Sequence, residues 1–230
     1  MYKKEHVASA YEMQIDSLIR LLLRMKMYVT NLLSDAKIVI YNYSEDATTK
    51  SMLMQKKIQE LNGQVDESVI SILALRHPMA ADLRFVISSL KIARELEYMG
   101  DWTKKSLKAI SRLHNDAIPD APKAAIIQMI NVSIEVLDCT ISVLLKTDVN
   151  KDEKESIATR ISGIIDKDDI VDNIYKDVLL KALPEIKEGS DKSLISYELI
   201  GIAKNFEKVA DCANNIALET KYVLTGSRDN

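Results

Sequence analysis

An eleven-residue segment of this chain occurs twice. Lys91-Ile92-Ala93-Arg94-Glu95-Leu96-Glu97-Tyr98-Met99-Gly100-Asp101 returns 110 residues later as Gly201-Ile202-Ala203-Lys204-Asn205-Phe206-Glu207-Lys208-Val209-Ala210-Asp211. Ile-Ala, a basic residue, an apolar residue, Glu, another apolar residue, a small residue and Asp all keep their places. A repeat of this kind constrains the architecture more than any local pattern, because both copies must bury the same faces. Each copy also carries its own carboxylate pair, Glu97/Asp101 and Glu207/Asp211.

The surrounding sequence is helical in character. Only six Gly and four Pro occur in 230 residues, and Leu, Ile, Ala, Lys, Glu and Met are plentiful. Ile15, Leu18, Leu22, Met25, Val29, Leu32 and Leu33 recur at three and four, which predicts a helix over 6–43. Ser44-Glu45-Asp46 offers a cap for a second helix over 46–76, with Ile58, Leu61, Val65, Val69, Ile72 and Leu73 inward. His77-Pro78 ends it, since Pro disfavours the helical conformation in the residue before it.

A third helix is expected over 79–114, and Asn115 to Pro122 reads as the one clear linker. The second half repeats the plan over 122–146, 151–187 and 191–225, with turns at Asp148-Val149-Asn150 and Glu188-Gly189-Ser190. Gly226 suits the left-handed cap that would close the last helix. The expectation is an all-α chain of two tandem antiparallel three-helix bundles, residues 1–116 and 117–230, related by the internal repeat.

Several functional classes are excluded by what the chain lacks. A net charge of −3, with both signs mixed, leaves no electrostatic footprint for nucleic acid. None of the three histidines has a Glu three residues before it, which di-iron helical sites require. There is no P-loop, Gly-rich phosphate loop or Ser/His/Asp arrangement, so the chain is read as a non-enzyme. Cys139 reads as a small core residue, Cys212 adjoins Asp211, and neither has a zinc-site spacing. Ala124 to Leu145 is strongly apolar but carries Gln128, Asn131, Glu135 and Asp138 at helical spacing, as a buried amphipathic helix does and a membrane span does not. No signal-peptide pattern opens the chain, and a cytoplasmic location is expected.

Acid-x-x-x-acid spacing puts two carboxylates on one helix face, one turn apart. The chain has six such pairs, where chance gives about five for this acidic content. Position, rather than number, singles out the repeated ones. On a wheel of about 100° per residue, Glu97 and Asp101 continue the line of Leu83, Val86, Ile87 and Leu90. Glu207 and Asp211 stand likewise to Tyr197, Ile200 and Ala203. Like charges on an inward face need compensation, either from Lys or Arg on neighbouring elements or from metal ions. Asp168 and Asp172 on the fifth helix would complete a four-carboxylate set with Glu207 and Asp211, whereas Gln55 and Gln59 stand at the corresponding point of the second helix. An amide oxygen adds no negative charge, so a weaker or different first-copy site follows.

His77-Pro78-Met79-Ala80-Ala81-Asp82-Leu83-Arg84, followed by Glu97-Tyr98-Met99-Gly100-Asp101, resembles the PhoU-type phosphate-uptake regulators. Glu207-Lys208-Val209-Ala210-Asp211, with Asn215-Ile216-Ala217 and Thr225-Gly226 after it, fits the family's second copy. The resemblance spans nearly the whole chain. It implies multinuclear clusters of iron or zinc, with magnesium or manganese as further candidates. Their ligands would be Glu97 and Asp101 in one copy and Asp168, Asp172, Glu207 and Asp211 in the other. It also implies negative regulation of phosphate uptake and starvation signalling, through a phosphate ABC transporter and its membrane sensor kinase. The chain would then reach the membrane only through those partners, and a homodimer is compatible with the role. The alternative is a helical metal buffer with no signalling role.

Four departures from the family pattern stand out: Gln55 and Gln59 where an acid and an Asp or Asn are usual, Ala210 for glycine, Lys105 where the second copy has Asn215, and Lys26-Met27 for paired glycines. The Asp82 and Arg84 of the family's Pro-x-Ala-x-Asp-Leu-Arg stretch read as a first-turn acid and a link to a carboxylate or partner.

Overall fold

The computed structural model describes residues 2–113, 118–144, 151–165, 167–189 and 192–228. Seven helices follow one another: α1 (Tyr2–Tyr41), α2 (Glu45–Arg76), α3 (Ala80–Arg112), α4 (Asp120–Leu144), α5 (Lys151–Ile165), α6 (Asp168–Lys187) and α7 (Ser193–Thr225). No strand occurs among the described residues. Helices α1–α3 form one bundle; α4, the α5–α6 pair and α7 form the second. The turn expected at Asp148-Val149-Asn150, the middle of the linker and the 116/117 division lie outside the described residues.

Burial sets the two copies in register. Leu22, Met25, Leu32 and Leu33 of α1 answer to Ile126, Met129, Val136 and Leu137 of α4, and all are buried. Ile58, Val65 and Val69 of α2 answer to Val171, Val178 and Ala182 of α6. On α3 and α7, Ile92, Ala93, Leu96 and Met99 answer to Ile202, Ala203, Phe206 and Val209.

One expected helix is two. The segment 151–187 breaks at Lys167, whose amide bonds the Ile164 carbonyl while its own carbonyl accepts from Ile170. Both are three-residue closures that tighten the chain out of α-helical register. Asp168 and Asp169 then occupy the first turn of α6, where the helix dipole favours acids. The break therefore puts Asp168 at a helix N-terminus.

At the α2–α3 corner the backbone is strained. His77 and Ala80 take φ of 50° and 48°, a left-handed region that costs a Cβ-bearing residue about 1–2 kcal/mol. The expected inward face of α3 is also rotated: Leu83 and Ile87 are 39% and 36% exposed, and Tyr197 of α7 is 66% exposed. The buried line runs instead through Val86, Ser89, Ala93 and Leu96, because α3 is covered on two sides, by its own bundle and by α7. Cys139 is half buried rather than a core residue, and Cys212 is buried.

Helix α4 is, among the described residues, the one helix long and apolar enough to cross a membrane by length and composition. It packs against α7, α1, α6 and α5. Its polar stripe is bridged by lysines: Lys37 donates to Asn131, Lys26 pairs with Asp138, and Lys167 with Glu135.

The widest helix contact joins α3 and α7 across the two bundles. Ser88 meets Glu219, Glu95 meets Asn215 and Arg112 meets Glu198, so the helices run antiparallel. Arg112 grips the buried Glu198 through Nε at 2.6 Å and a terminal nitrogen at 2.7 Å. Glu219, also buried, accepts from Ser88 at 3.0 Å, Lys91 at 2.9 Å and Arg228 at 2.8 Å. Gly226 caps α7 in the left-handed conformation at φ 75°, turning the chain so that Arg228 folds back on Glu219. The Arg84 guanidinium lies against Gly226, where a Cβ would come within 3.4 Å of it.

Burial alone would raise the Glu219 pKa, but the hydrogen bonds from Arg228, Lys91 and Ser88 outweigh it and hold the carboxyl below its usual range. A depressed pKa contributes stability above the unfolded value, and that stability is lost as pH falls through the folded value. Glu219→Ala is therefore expected to cost about 2–4 kcal/mol at neutral pH. Urea unfolding should show the gap narrowing below the reference value of 4.5.

Candidate functional site

The repeated carboxylates lie where α3 and α7 face the middle helix of their own bundle. In the first copy, Glu97 and Asp101 are half buried. Gln55 Nε2 donates to Asp101 at 2.7 Å, and Asn62 Nδ2 donates to Glu97 at 2.6 Å. Lys104 Nζ closes on Asp101 at 3.0 Å. Gln59, expected beside them, is exposed. A step of seven residues returns to within about 20° of the starting direction on a helix and a step of four overshoots by about 40°. Asn62 thus shares the Gln55 face better than Gln59 does, and it is the residue that the acid-spacing argument missed.

Gly100 has a local reason. A Cβ there would fall 1.8 Å from Gln55 Oε1, so the glutamine lies directly on the helix backbone to reach Asp101. In the second copy Ala210 stands at this position, opposite the shorter Asp168.

That second copy brings four acids near one another. Asp168 sits at the start of α6 with a pKa raised first by burial and then by Asp211, Asp172 and Glu207, against an opposing hydrogen bond from Asn214. Lysines of α7 hold the two carboxylates of their own helix. Lys204 donates to Glu207 at 2.8 Å, and Lys208 reaches Asp211 at 2.7 Å and Glu207 at 3.3 Å. Lys204 also lies over the Tyr175 ring at 4.9 Å, Tyr175 occupying the α6 position that answers to Asn62. The Lys208 pKa is raised, with its hydrogen bond to Asp211 the largest cause.

Among the described residues, no three or more Asp, Glu, His or Cys side chains are gathered closely enough to hold one metal ion. The donor set nevertheless differs between copies in a way that bears on metal. Asp168 Oδ1 is a buried carboxylate oxygen that accepts no hydrogen bond, and the buried Glu207 Oε2 has only the Lys208 ammonium, at 3.3 Å, as its partner. The corresponding orphans of the first copy are neutral amide oxygens, Gln55 Oε1 and Asn62 Oδ1. Hard cations favour charged oxygen donors, so the second copy fits such an ion better. Cys212 adds no ligand: burial, with Glu95 beside it, pushes its thiol pKa well up and keeps it protonated. Asp82 stands in the first turn of α3 as expected; no ion pair to Arg84 occurs among the described residues, and Arg84 packs on Gly226 instead.

A family model described as the PhoU domain matches residues 22–110 and again residues 126–220, each match containing one copy of the repeated carboxylate pair. The chain belongs to the PhoU family. A Rhizobium meliloti protein named phosphate-specific transport system accessory protein PhoU homolog is 24% identical over 223 residues, covering 97% of this chain and 90% of the relative. A Thermotoga maritima PhoU homolog 1 is 26% identical over 203 residues, covering 88% and 84%. Among solved structures, PhoU from Pseudomonas aeruginosa superposes with a TM-score of 0.82 at 21% identity, over 94% of this chain and 100% of that one. The Streptococcus pneumoniae PhoU, titled a phosphate transport system regulatory protein, gives 0.82 at 20% identity over 96% and 99%. These likenesses show the fold of two related helical bundles.

Two outcomes test the geometry of the acids. Gly100→Ala should destabilise by about 1 kcal/mol, because the displaced Gln55 loses Asp101. In a Gln55→Ala background the same change should stabilise by about 0.5–1 kcal/mol through helix propensity, as a double-mutant cycle in urea would read. For Asp168, a raised folded pKa means stability present at low pH and lost as the carboxyl ionises. Metal-free Asp168→Asn should accordingly melt about 1–2 °C higher than the parent at neutral pH, and no higher well below the ordinary Asp range.

Proposed function

We propose that the chain is a negative regulator of phosphate uptake and phosphate-starvation signalling that acts by binding rather than by chemistry. The carrying observation is that the PhoU domain matches twice, each time over a buried or half-buried carboxylate pair on the long last helix of a bundle. The names of the relatives, as accessory proteins of phosphate-specific transport systems, support the same reading. Its partners are a phosphate ABC transporter and the membrane sensor kinase coupled to it, met on the cytoplasmic side.

Asp168, Asp172, Glu207 and Asp211 are the residues that would hold metal, iron or zinc by preference. Glu97 and Asp101, already hydrogen-bonded by Gln55 and Asn62, would form the weaker site. A bound cation supplies positive charge that neutralises the clustered acids. The chain's own groups do the rest. Lys204 and Lys208 now balance Glu207 and Asp211 and would turn outward when a metal replaces them, changing the charge that a partner meets on α7.

Deletion should raise phosphate import and starvation-gene expression in phosphate-replete cells, and Glu207→Ala with Asp211→Ala should mimic it. Protein purified without chelator should lose most of its metal in that double variant, but keep most of it in Glu97→Ala with Asp101→Ala. A normal phosphate response in both the deletion and the double variant would sink the regulatory reading. Metal retained only by the first copy would reverse the order of the sites.

A further inference from the structure

The two bundles are filled differently at one end. In the first, α1 runs on past the core and lies across the place where α2 ends and α3 begins. The Tyr11 hydroxyl faces Asp82, and burial together with that charge pushes its pKa up to about 12. Gln14 accepts from Arg76 Nε at 2.8 Å, and Ile15 packs on the core nearby. Beneath them Val69, Ile72 and Val86 are fully buried.

Among the described residues the second bundle has no such cover. Helix α4 starts at Asp120, and the register of α4 on α1 makes Asp16 its counterpart, so residues 2–15 answer to nothing in α4. The floor below is also cut back. Ala182 stands for Val69, Glu185 for Ile72, Ser196 for Val86 and Ala125 for Leu21. The outcome is a half-open cavity of about 440 Å³ bounded by α4, α6 and α7. That volume is in the range of sites built to be occupied.

The charges at its rim are unequal. Asp177 is turned to Lys181 at 3.7 Å, and Glu185 holds the Ser196 hydroxyl. Lys192, at the start of α7, forms no ion pair among the described residues, and it is the counterpart of Asp82.

We propose that this cavity seats a short helix from a partner protein, packed on the second bundle as residues 11–15 pack on the first. The first bundle shows that a helical turn fits the cradle. The exchange of Asp82 for Lys192 specifies its chemistry: where the Tyr11 hydroxyl faces an acid, the incoming helix presents a carboxylate to Lys192. About one turn along, a bulky aliphatic or aromatic residue fills the space over Ala125 and Ala182, as Ile15 does over its own core. This site is separate from the carboxylate cluster and stands whether or not the partner belongs to phosphate transport.

The test uses full-length protein and a labelled peptide of residues 2–18 carrying Tyr11→Glu, followed by fluorescence anisotropy. Saturable binding is expected, at least fivefold weaker to Lys192→Glu and abolished by Ala125→Trp with Ala182→Phe, which fill the cavity beyond the bulk of Leu21 and Val69 that the first bundle keeps under its own cover. The unmodified 2–18 peptide should bind more weakly than the Tyr11→Glu form. Lys192 is exposed, so its substitution tests the charge even if the filled variant does not fold. No saturable binding, or equal binding to the parent and Lys192→Glu, overturns the proposal. So does a small acid such as decanoate binding in the cavity while the peptide does not, which would mark it as a small-molecule site.

Discussion

Everything in this molecule hangs on the antiparallel seam between α3 and α7. Each helix is the last of its bundle and carries that bundle's carboxylate pair, so the seam fixes both sites in one rigid frame. It is closed by apolar burial along its length and by two buried acids near its ends, Glu198 under Arg112 and Glu219 under Ser88, Lys91 and Arg228. Buried ion pairs add little net stability over apolar packing, but removing one partner leaves an expensive unpaired charge. Their effect is to forbid slippage: moving α7 by one turn along α3 would strand both glutamates. The seam also explains the rotated face of α3, since a helix covered on two sides must bury small polar residues such as Ser88 and Ser89 that a one-sided wheel assigns to solvent.

The acid sites show one problem solved in two ways. Two carboxylates one turn apart on a half-buried face repel, and each copy must offset that repulsion. The first does so with amide donors from α2 and with Lys104, and so satisfies the charges without an ion. The second has no such amides on its middle helix, and draws on Lys204 and Lys208 from α7 itself. Those lysines are partly exposed and sit on long stems, so they are easily exchanged, while Asp168 keeps an unpaired oxygen. A locked site and an exchangeable site therefore share one frame.

Much of this was legible in the sequence because helices announce themselves through period and punctuation. The repeat, the all-α class, the Pro78 corner, the Gly226 cap and the placing of both acid pairs on matching helices all follow from it. What was hidden has physical causes. The break at Lys167 carries no Gly or Pro, and the apolar period runs on through Ile161, Ile164, Val171 and Ile174, so the kink is invisible to pattern. The acids' own four-residue step points to Gln59, whereas the buried face of α2 repeats closer to seven and brings Asn62 to the site. The lysines belong to the same helix as the acids, where the charge argument points to neighbouring elements.

The departures between the copies are not independent. Gln55 reaches Asp101 only by lying on bare backbone, which requires Gly100; once an aspartate occupies that place, the chain can afford Ala210 and gain helix propensity. The same coupling acts at the far end. The long α1 covers Val69, Ile72 and Val86, which stay large and apolar; the shorter α4 leaves Ala182, Glu185 and Ser196 in their places. Ala182 and Ser196 are still buried, so the smaller residues deepen the cavity floor rather than form an open surface. A purely relaxed surface would be expected to lose its concavity as α4, α6 and α7 settled together. Here the three helices hold their spacing, since Ile126, Val171 and Ile202 pack fully buried deeper in the bundle. The cavity is thus a consequence of a repeat kept in register at its centre and released at one end.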